Sequence, residues 1–342
     1  MLSLDPNDRA ASHPEDVEEE LAAVLPQTQG SRFFPMIRGL AWHLLAFILL
    51  GAAAFILWRE FRTLSLSQVT AAIRAWGWGT VALALSLSAS SFVLMGFVEY
   101  LGLRWAGARV RLRTALAGSF VASAMAHSLG ANLLVSGAVR ARWYGRRGVS
   151  FRQVAAATLF QGFSFTVGIA TLAGVCLLAA GSQEITAASR IANPVADGVG
   201  GLLVAAVGAY IALCALVHRP LRGFGHSVKL PSVRVALAQM SLGAIDNAVA
   251  AAIFWILLPA GAVDYLAFVG IYAPSVVAGL ISHVPGGVGV FEGSLSTLLR
   301  GVEPAALAAA FLGYRLFFFL IPLVLAGLAL VLDTLRERSR QK

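Results

Sequence analysis

Apolar residues in this chain come as unbroken runs rather than as a stripe at helical spacing. Six runs, at about 37–58, 77–98, 153–180, 197–217, 233–258 and 305–332, each hold the roughly 20 residues a helix needs to cross a bilayer. Polar residues are confined mainly to the joints. Two further runs are interrupted. One, about 109–139, breaks at Ser128-Leu129-Gly130-Ala131-Asn132, and the other, about 265–300, breaks at Pro285-Gly286-Gly287-Val288-Gly289. The pattern predicts an all-α integral membrane protein in which seven or eight apparent spans resolve into six full crossings and two re-entrant hairpins.

Composition agrees. Hydrophobic residues make up 58% of the 342 and charged residues only 13%. A soluble domain of this size could not hide so much apolar surface, so most soluble enzymes and disordered chains are excluded. The formal net charge is +9. Residues 1–36 hold seven acids and two bases, and the remainder holds 24 bases against 10 acids. Those bases sit in short loops between apolar runs, as the positive-inside rule expects, and not as a nucleic-acid-binding face. The acidic stretch 1–36, with Pro6, Pro14 and Pro26, reads as a disordered cytoplasmic tail without a signal peptide. Cys176 and Cys214 each lie inside an apolar run and read as small core residues.

The loop charges orient the chain. Arg104, Arg109, Arg111 and Arg113 precede the first interrupted run, and Arg140, Arg142, Arg146, Arg147 and Arg152 follow its break. Both ends of that run therefore belong on the cytoplasmic side, which makes it a hairpin. The 218–234 loop and the basic end 336–342 are cytoplasmic by the same rule, whereas 181–196 and 259–264 are external. Both termini then lie inside. A shift of 156 residues superposes the runs of one half, about 37–190, on those of the other, about 193–335, and carries His127 onto His283, Gly130 onto Gly286 and Gly137 onto Gly293. With three crossings per half the second copy is inverted, as in many secondary transporters. Identity at this offset is weak, so the matched order of runs carries the reading.

The Pro285–Gly289 break frees backbone N–H groups, and a helix starting near Val290 would aim its N-terminus into the membrane, where a lipid phosphate is a suitable anion. A plain Pro-Gly kink is the alternative. The stretch Ser282-His283-Val284-Pro285-Gly286-Gly287-Val288-Gly289-Val290-Phe291-Glu292 resembles the signature of the lysylphosphatidylglycerol synthase transmembrane-region family. Asn132, Gly137, Arg140, Tyr144 and Gly148 stand at family-like spacing, and Tyr314-Arg315 ahead of an aromatic run ending in Pro322 adds a third likeness. The resemblance covers about residues 38–335. It implies a bacterial inner-membrane protein that handles phospholipids or lipid-linked substrates, in a family that includes the flippase half of a multiple-peptide-resistance factor. In those longer proteins a soluble transferase domain follows the membrane part. This sequence ends at Lys342, so the expectation is that the synthase activity does not carry over.

Ionisable groups at membrane depth are rare and costly. Asp246 lies mid-run beside Asn247, Arg315 lies in the last run, Glu292 closes the signature and Glu99 ends the second crossing. Either Asp246 or Glu292 could pair with Arg315. The candidate substrate-binding set is Glu292, His283, Gly286, Gly287, Arg315, Tyr314, Asp246, Asn132, Arg140 and Tyr144, with the acids meeting a cationic headgroup and the arginines a phosphate. The alternative is a set of structural ion pairs and satisfied hydrogen-bonders. Ser86, Ser88, Ser90 and Ser91 read as helix-packing residues. No HExxH, Walker A or GxSxG pattern occurs, so no catalytic residue, metal or cofactor is expected. Three functions stay open. One is a phospholipid flippase or transporter, whose phospholipid could be an aminoacylated one. The second is an enzyme or membrane subunit of lipid modification, in a hopanoid or polyprenyl-linked glycan pathway. The third is a scaffold for a separately encoded lipid enzyme. A homo-oligomer is compatible with each.

The orientation is checked by cysteine labelling of intact cells, with Cys176 and Cys214 replaced by alanine. Cysteines at Ser182 and Ser189 should react from outside and one at Ser227 should not. External labelling at Ser227 would reverse the orientation.

Overall fold

Helices dominate the computed structural model, which describes residues 67, 71, 74–129, 132–180, 188, 191–217, 221–223, 226–228, 230–282 and 284–340. The expected tail and the first crossing, 37–58, lie outside the described residues. The described residues fall within one compact unit, 51–342. In chain order the elements are α1 Trp78–Trp105, α2 Leu112–Leu129, α3 Asn132–Gly145, α4 Phe151–Ala179, α5 Asn193–Leu216, a small antiparallel ribbon of β1 Leu221–Gly223 and β2 His226–Val228, α6 Val233–Trp255, α7 Tyr265–Ile281, α8 Val290–Leu298, α9 Pro304–Tyr314 and α10 Ile321–Arg340. The ribbon lies in the 218–234 loop. Helix α10 runs on through residues 336–340 of the basic end.

Among the described residues, five segments are long and apolar enough to cross a membrane: α1, α4, α5, α6 and the stretch Pro304–Asp333. Their outward faces are greasy, with Leu83, Leu159, Leu202, Leu216 and Leu328 exposed. Lipid tails would cover such faces as readily as protein does. Helix α1 begins with the second predicted run but continues past its predicted end. Glu99, expected to close the crossing, is instead fully buried inside the helix, because a partner described below neutralises it.

The two interrupted runs are two pairs of short helices. Helices α2 and α3 have 18 and 14 residues and pack on each other, and α7 and α8 have 17 and 9 residues and do the same. Shifted by 156, the starts of α1 to α4 fall at 234, 268, 288 and 307, and the second-half helices start at 233, 265, 290 and 304.

Two local devices hold the bundle. Gly168 of α4 and Gly243 of α6 face each other so closely that a Cβ on Gly168 would collide with the Gly243 backbone, and one on Gly243 with the Ser164 carbonyl oxygen of α4. Without a hydrophobic drive between helices in lipid, such small-residue contacts carry much of the packing. Pro322 has no N–H for the carbonyl of Phe318, and the turn before it, Arg315–Leu320, rewinds into a π-helix. There the Phe317 carbonyl accepts from Ser88 Oγ of α1 at 2.9 Å.

Gly243→Ala should therefore destabilise the fold by about 1–3 kcal/mol through overpacking. Gly198→Ala, on the open face of α5 with nothing within 4 Å, should be neutral or gain helix propensity. Thermal unfolding in detergent separates the two. Equal effects would remove the α4–α6 contact from the account.

Candidate functional site

The turn Pro285–Gly287 joins α7 to α8 with Gly286 and Gly287 at φ 61° and 64°, and Gly289 follows at 82°. Only glycine takes three left-handed positions so close together without strain. Such a turn leaves backbone groups without helical partners, and one side-chain pair supplies them. Arg315 Nη1 donates to the Gly286 carbonyl at 2.5 Å, while its Nε and Nη2 donate to Glu292 Oε1 at 2.9 and 2.5 Å. The other oxygen, Glu292 Oε2, accepts from the Gly289 N–H at 2.8 Å. Both side chains are buried. The Arg315 guanidinium also stacks 4.8 Å from the Phe319 ring. Of the two pairings open to Arg315, the structure adopts the one with Glu292.

A second buried pair links α1 to α3. Arg140 Nε, on a side chain only 2% exposed, is shared by both carboxylate oxygens of Glu99, at 2.9 and 2.8 Å. The Tyr144 hydroxyl lies beside that carboxylate and donates to the Ala115 carbonyl at 3.3 Å, which ties α3 to α2. The two pairs are not equivalent under the 156-residue shift, which carries Arg140 onto Ser296 and Arg315 back onto Leu159.

Between the pairs lies a cavity of about 370 Å³. Helices α1 to α4 and α6 to α8, together with Tyr314 and the π turn, contribute to its wall. Arg140, Arg315, Asp246, Tyr314, Gly286 and Gly287 from the candidate set all line it. Asp246 has no cation partner among the described residues; Ser91 Oγ donates to its Oδ1 at 2.5 Å. Its neighbour Asn247 is occupied within its own helix, by the Gly243 carbonyl. The end of α2 meets the signature turn here: a Cβ on Gly286 would come 3.7 Å from the His127 carbonyl oxygen. The Tyr272 and Tyr314 hydroxyls bond each other at 2.7 Å and close one flank. The buried His127 Nδ1 and Gln161 Oε1, both on lining residues, have no hydrogen-bond partner among the described residues.

Two of the ten candidates, Glu292 and Tyr144, are absent from the described lining and stand behind Arg315 and Arg140 respectively. His283 lies outside the described residues, as does the side chain of Asn132, whose backbone starts α3. Reasoning from sequence left Glu99, Ser91, His127 and Gln161 out of the set. Glu99 carried a usable signal, being an acid inside what proves to be one continuous apolar helix. Ser91 carried none, since Ser86 and Ser90 in the same stretch merely bond their own helix. Among the described residues no three His, Cys, Asp or Glu side chains gather as metal ligands.

The profile described as the lysylphosphatidylglycerol synthase TM region matches residues 43–326, which holds both interrupted helix pairs and every lining residue. The chain belongs to that family. It is an integral, multi-pass membrane protein of a family named for a lipid synthase. It is similar to the uncharacterised protein slr0712 of Synechocystis, at 30% identity over 255 residues covering 74% of this chain and 79% of that protein. It is also similar to the inner membrane protein YbhN of Escherichia coli, at 31% identity over 263 residues covering 74% and 80%.

Removing one member of a buried pair strands the other. Arg315→Ala should cost about 3–5 kcal/mol, because it leaves the Glu292 charge and the Gly286 carbonyl unmatched. Glu292→Gln keeps an acceptor for Arg315 and should cost about 1–3 kcal/mol. Thermal unfolding of the purified variants in detergent checks the order, and a milder Arg315→Ala would contradict the clamp.

Proposed function

We propose that this protein moves phospholipids, or lipid-linked substrates of similar polarity, across the bacterial inner membrane. The carrying observation is the cavity where the α2–α3 and α7–α8 interruptions meet, with charged side chains set into a lining of apolar and neutral polar residues. A lipid headgroup fits that chemistry while its acyl chains stay in the bilayer. The two short-helix pairs act as re-entrant hairpins, neither member being long enough to cross comfortably. Non-helical backbone at membrane depth is stable where it lines a cavity.

The two halves act as an inverted repeat, supported by the agreement of helix starts at a constant shift. Such halves give alternating access by rocking around a central site. Both termini are cytoplasmic, as the arginine distribution supports. YbhN of Escherichia coli is an inner membrane protein, which supports the same membrane here. A separately encoded lipid-modifying enzyme is a natural partner, since it would supply the lipid to be moved. Within the site, Asp246 meets donors of the headgroup, and the Arg315–Glu292 clamp holds the signature turn that walls it.

The test is flipping of fluorescent phospholipids in proteoliposomes, read by quenching from outside. The parent should accelerate exchange for at least one headgroup class. Asp246→Asn should slow it by about tenfold, the scale of one charge-assisted hydrogen bond, without loss of folded protein. A parent that moves no headgroup class would overturn the reading.

A further inference from the structure

The two cavity arginines are not equally available. Every nitrogen of Arg315 already has a protein acceptor, in Glu292 or the Gly286 carbonyl. Arg140 differs. Glu99 approaches it end-on, with both oxygens on Nε, which uses one of its five N–H donors. The two Nη groups have no acceptor among the described residues, although the side chain is only 2% exposed and lines the cavity. A buried guanidinium with unmatched donors is costly. The fork suits an oxyanion, because two N–H groups reach two oxygens of one tetrahedral centre. His127 Nδ1, likewise buried and without a partner among the described residues, is on a residue that lines the same space and can add a third donor in the matching tautomer.

Charge limits which oxyanion is taken. Glu99 neutralises Arg140, so the fork offers donors without surplus positive charge. Asp246, with no cation partner among the described residues, lines the same cavity. One negative charge can be held by the hydrogen bonds, but a second would meet the field of that carboxylate in a site of low dielectric. We propose that the Arg140 Nη groups form a phosphodiester subsite, which takes a singly charged phosphate in preference to a phosphomonoester carrying close to two charges at neutral pH. The proposal rests on the headgroup reading above and assigns the chemical class that the site selects.

Equilibrium binding to the purified full chain in neutral detergent tests it, without reference to transport. The probes are short-chain phosphatidylglycerol, short-chain phosphatidic acid, glycerophosphoglycerol and inorganic phosphate, each followed by native mass spectrometry. The parent should bind the diester lipid at least about tenfold more tightly than the monoester lipid. Arg140→Ala would strand Glu99, so the variant of choice is the neutral pair Glu99→Gln with Arg140→Gln, which should lose about tenfold or more in diester affinity. Glu99→Gln alone leaves the arginine unneutralised and should narrow the preference by improving binding of phosphatidic acid. Undiminished diester binding by the neutral pair, or equal parental affinity for diester and monoester, overturns the subsite. Equal binding of glycerophosphoglycerol and the diester lipid, lost in the neutral pair, supports the subsite and overturns the lipid as its source. Diester binding through Arg140 in a parent that flips nothing supports the subsite and overturns only the transport reading.

Discussion

A break in the backbone that is buried inside a helix bundle must find polar partners within the protein, and the Arg315–Glu292 clamp meets that demand here. Three left-handed glycines make the turn after α7, and its carbonyl and N–H groups lack helical partners. Arg315 reaches the Gly286 carbonyl, Glu292 reaches the Gly289 N–H, and their mutual charge pairing makes burial of both tolerable. The π turn that begins at Arg315 is part of the same solution. It starts at the arginine, precedes Pro322, and has its Phe317 carbonyl taken up by Ser88 from α1.

The same logic of pairing decides what the cavity can offer. Glu99 and Glu292 stand behind their arginines, so the ionic groups left to a ligand are the Nη fork of Arg140 and the carboxylate of Asp246. The cavity is therefore bipolar, with one carboxylate not balanced by a cation among the described residues. Its surroundings are aromatic on the second-half side: Phe254 stacks face to face on Phe268 and meets Phe311 and Tyr314 edge to face, and Tyr272 meets Phe291 and Tyr314 edge to face beside the Tyr272–Tyr314 hydrogen bond. The first-half side relies on small residues and the Glu99–Arg140 pair. Two halves of matching helix order thus carry unlike chemistry, and their buried ion pairs occupy positions that no shift relates.

The long apolar runs, the breaks near residue 130 and at Pro285–Gly289, and a shift of about 156 residues between the halves, which the helix starts follow to within three residues, were all legible in the one-dimensional pattern. Each follows from a local rule: a bilayer demands about 20 apolar residues, and glycine and proline end helices. The identities of Asp246, Glu292 and Arg315 as notable residues were legible too, because a charge inside an apolar run is costly wherever it points. Arg140, by contrast, stood out only by its family-like spacing and was read with the cytoplasmic bases, although its side chain is buried. Tertiary structure alone decided the partners. Arg315 took Glu292 and left Asp246 to a serine, Arg140 took a glutamate read as the end of a crossing, and Tyr144 went to the α2–α3 joint rather than to the cavity wall. In lipid nearly every face of a helix is apolar, so no stripe records its rotation. The angular position of a side chain, and hence its partner, is set only when Gly168 meets Gly243 and the interrupted helices dock.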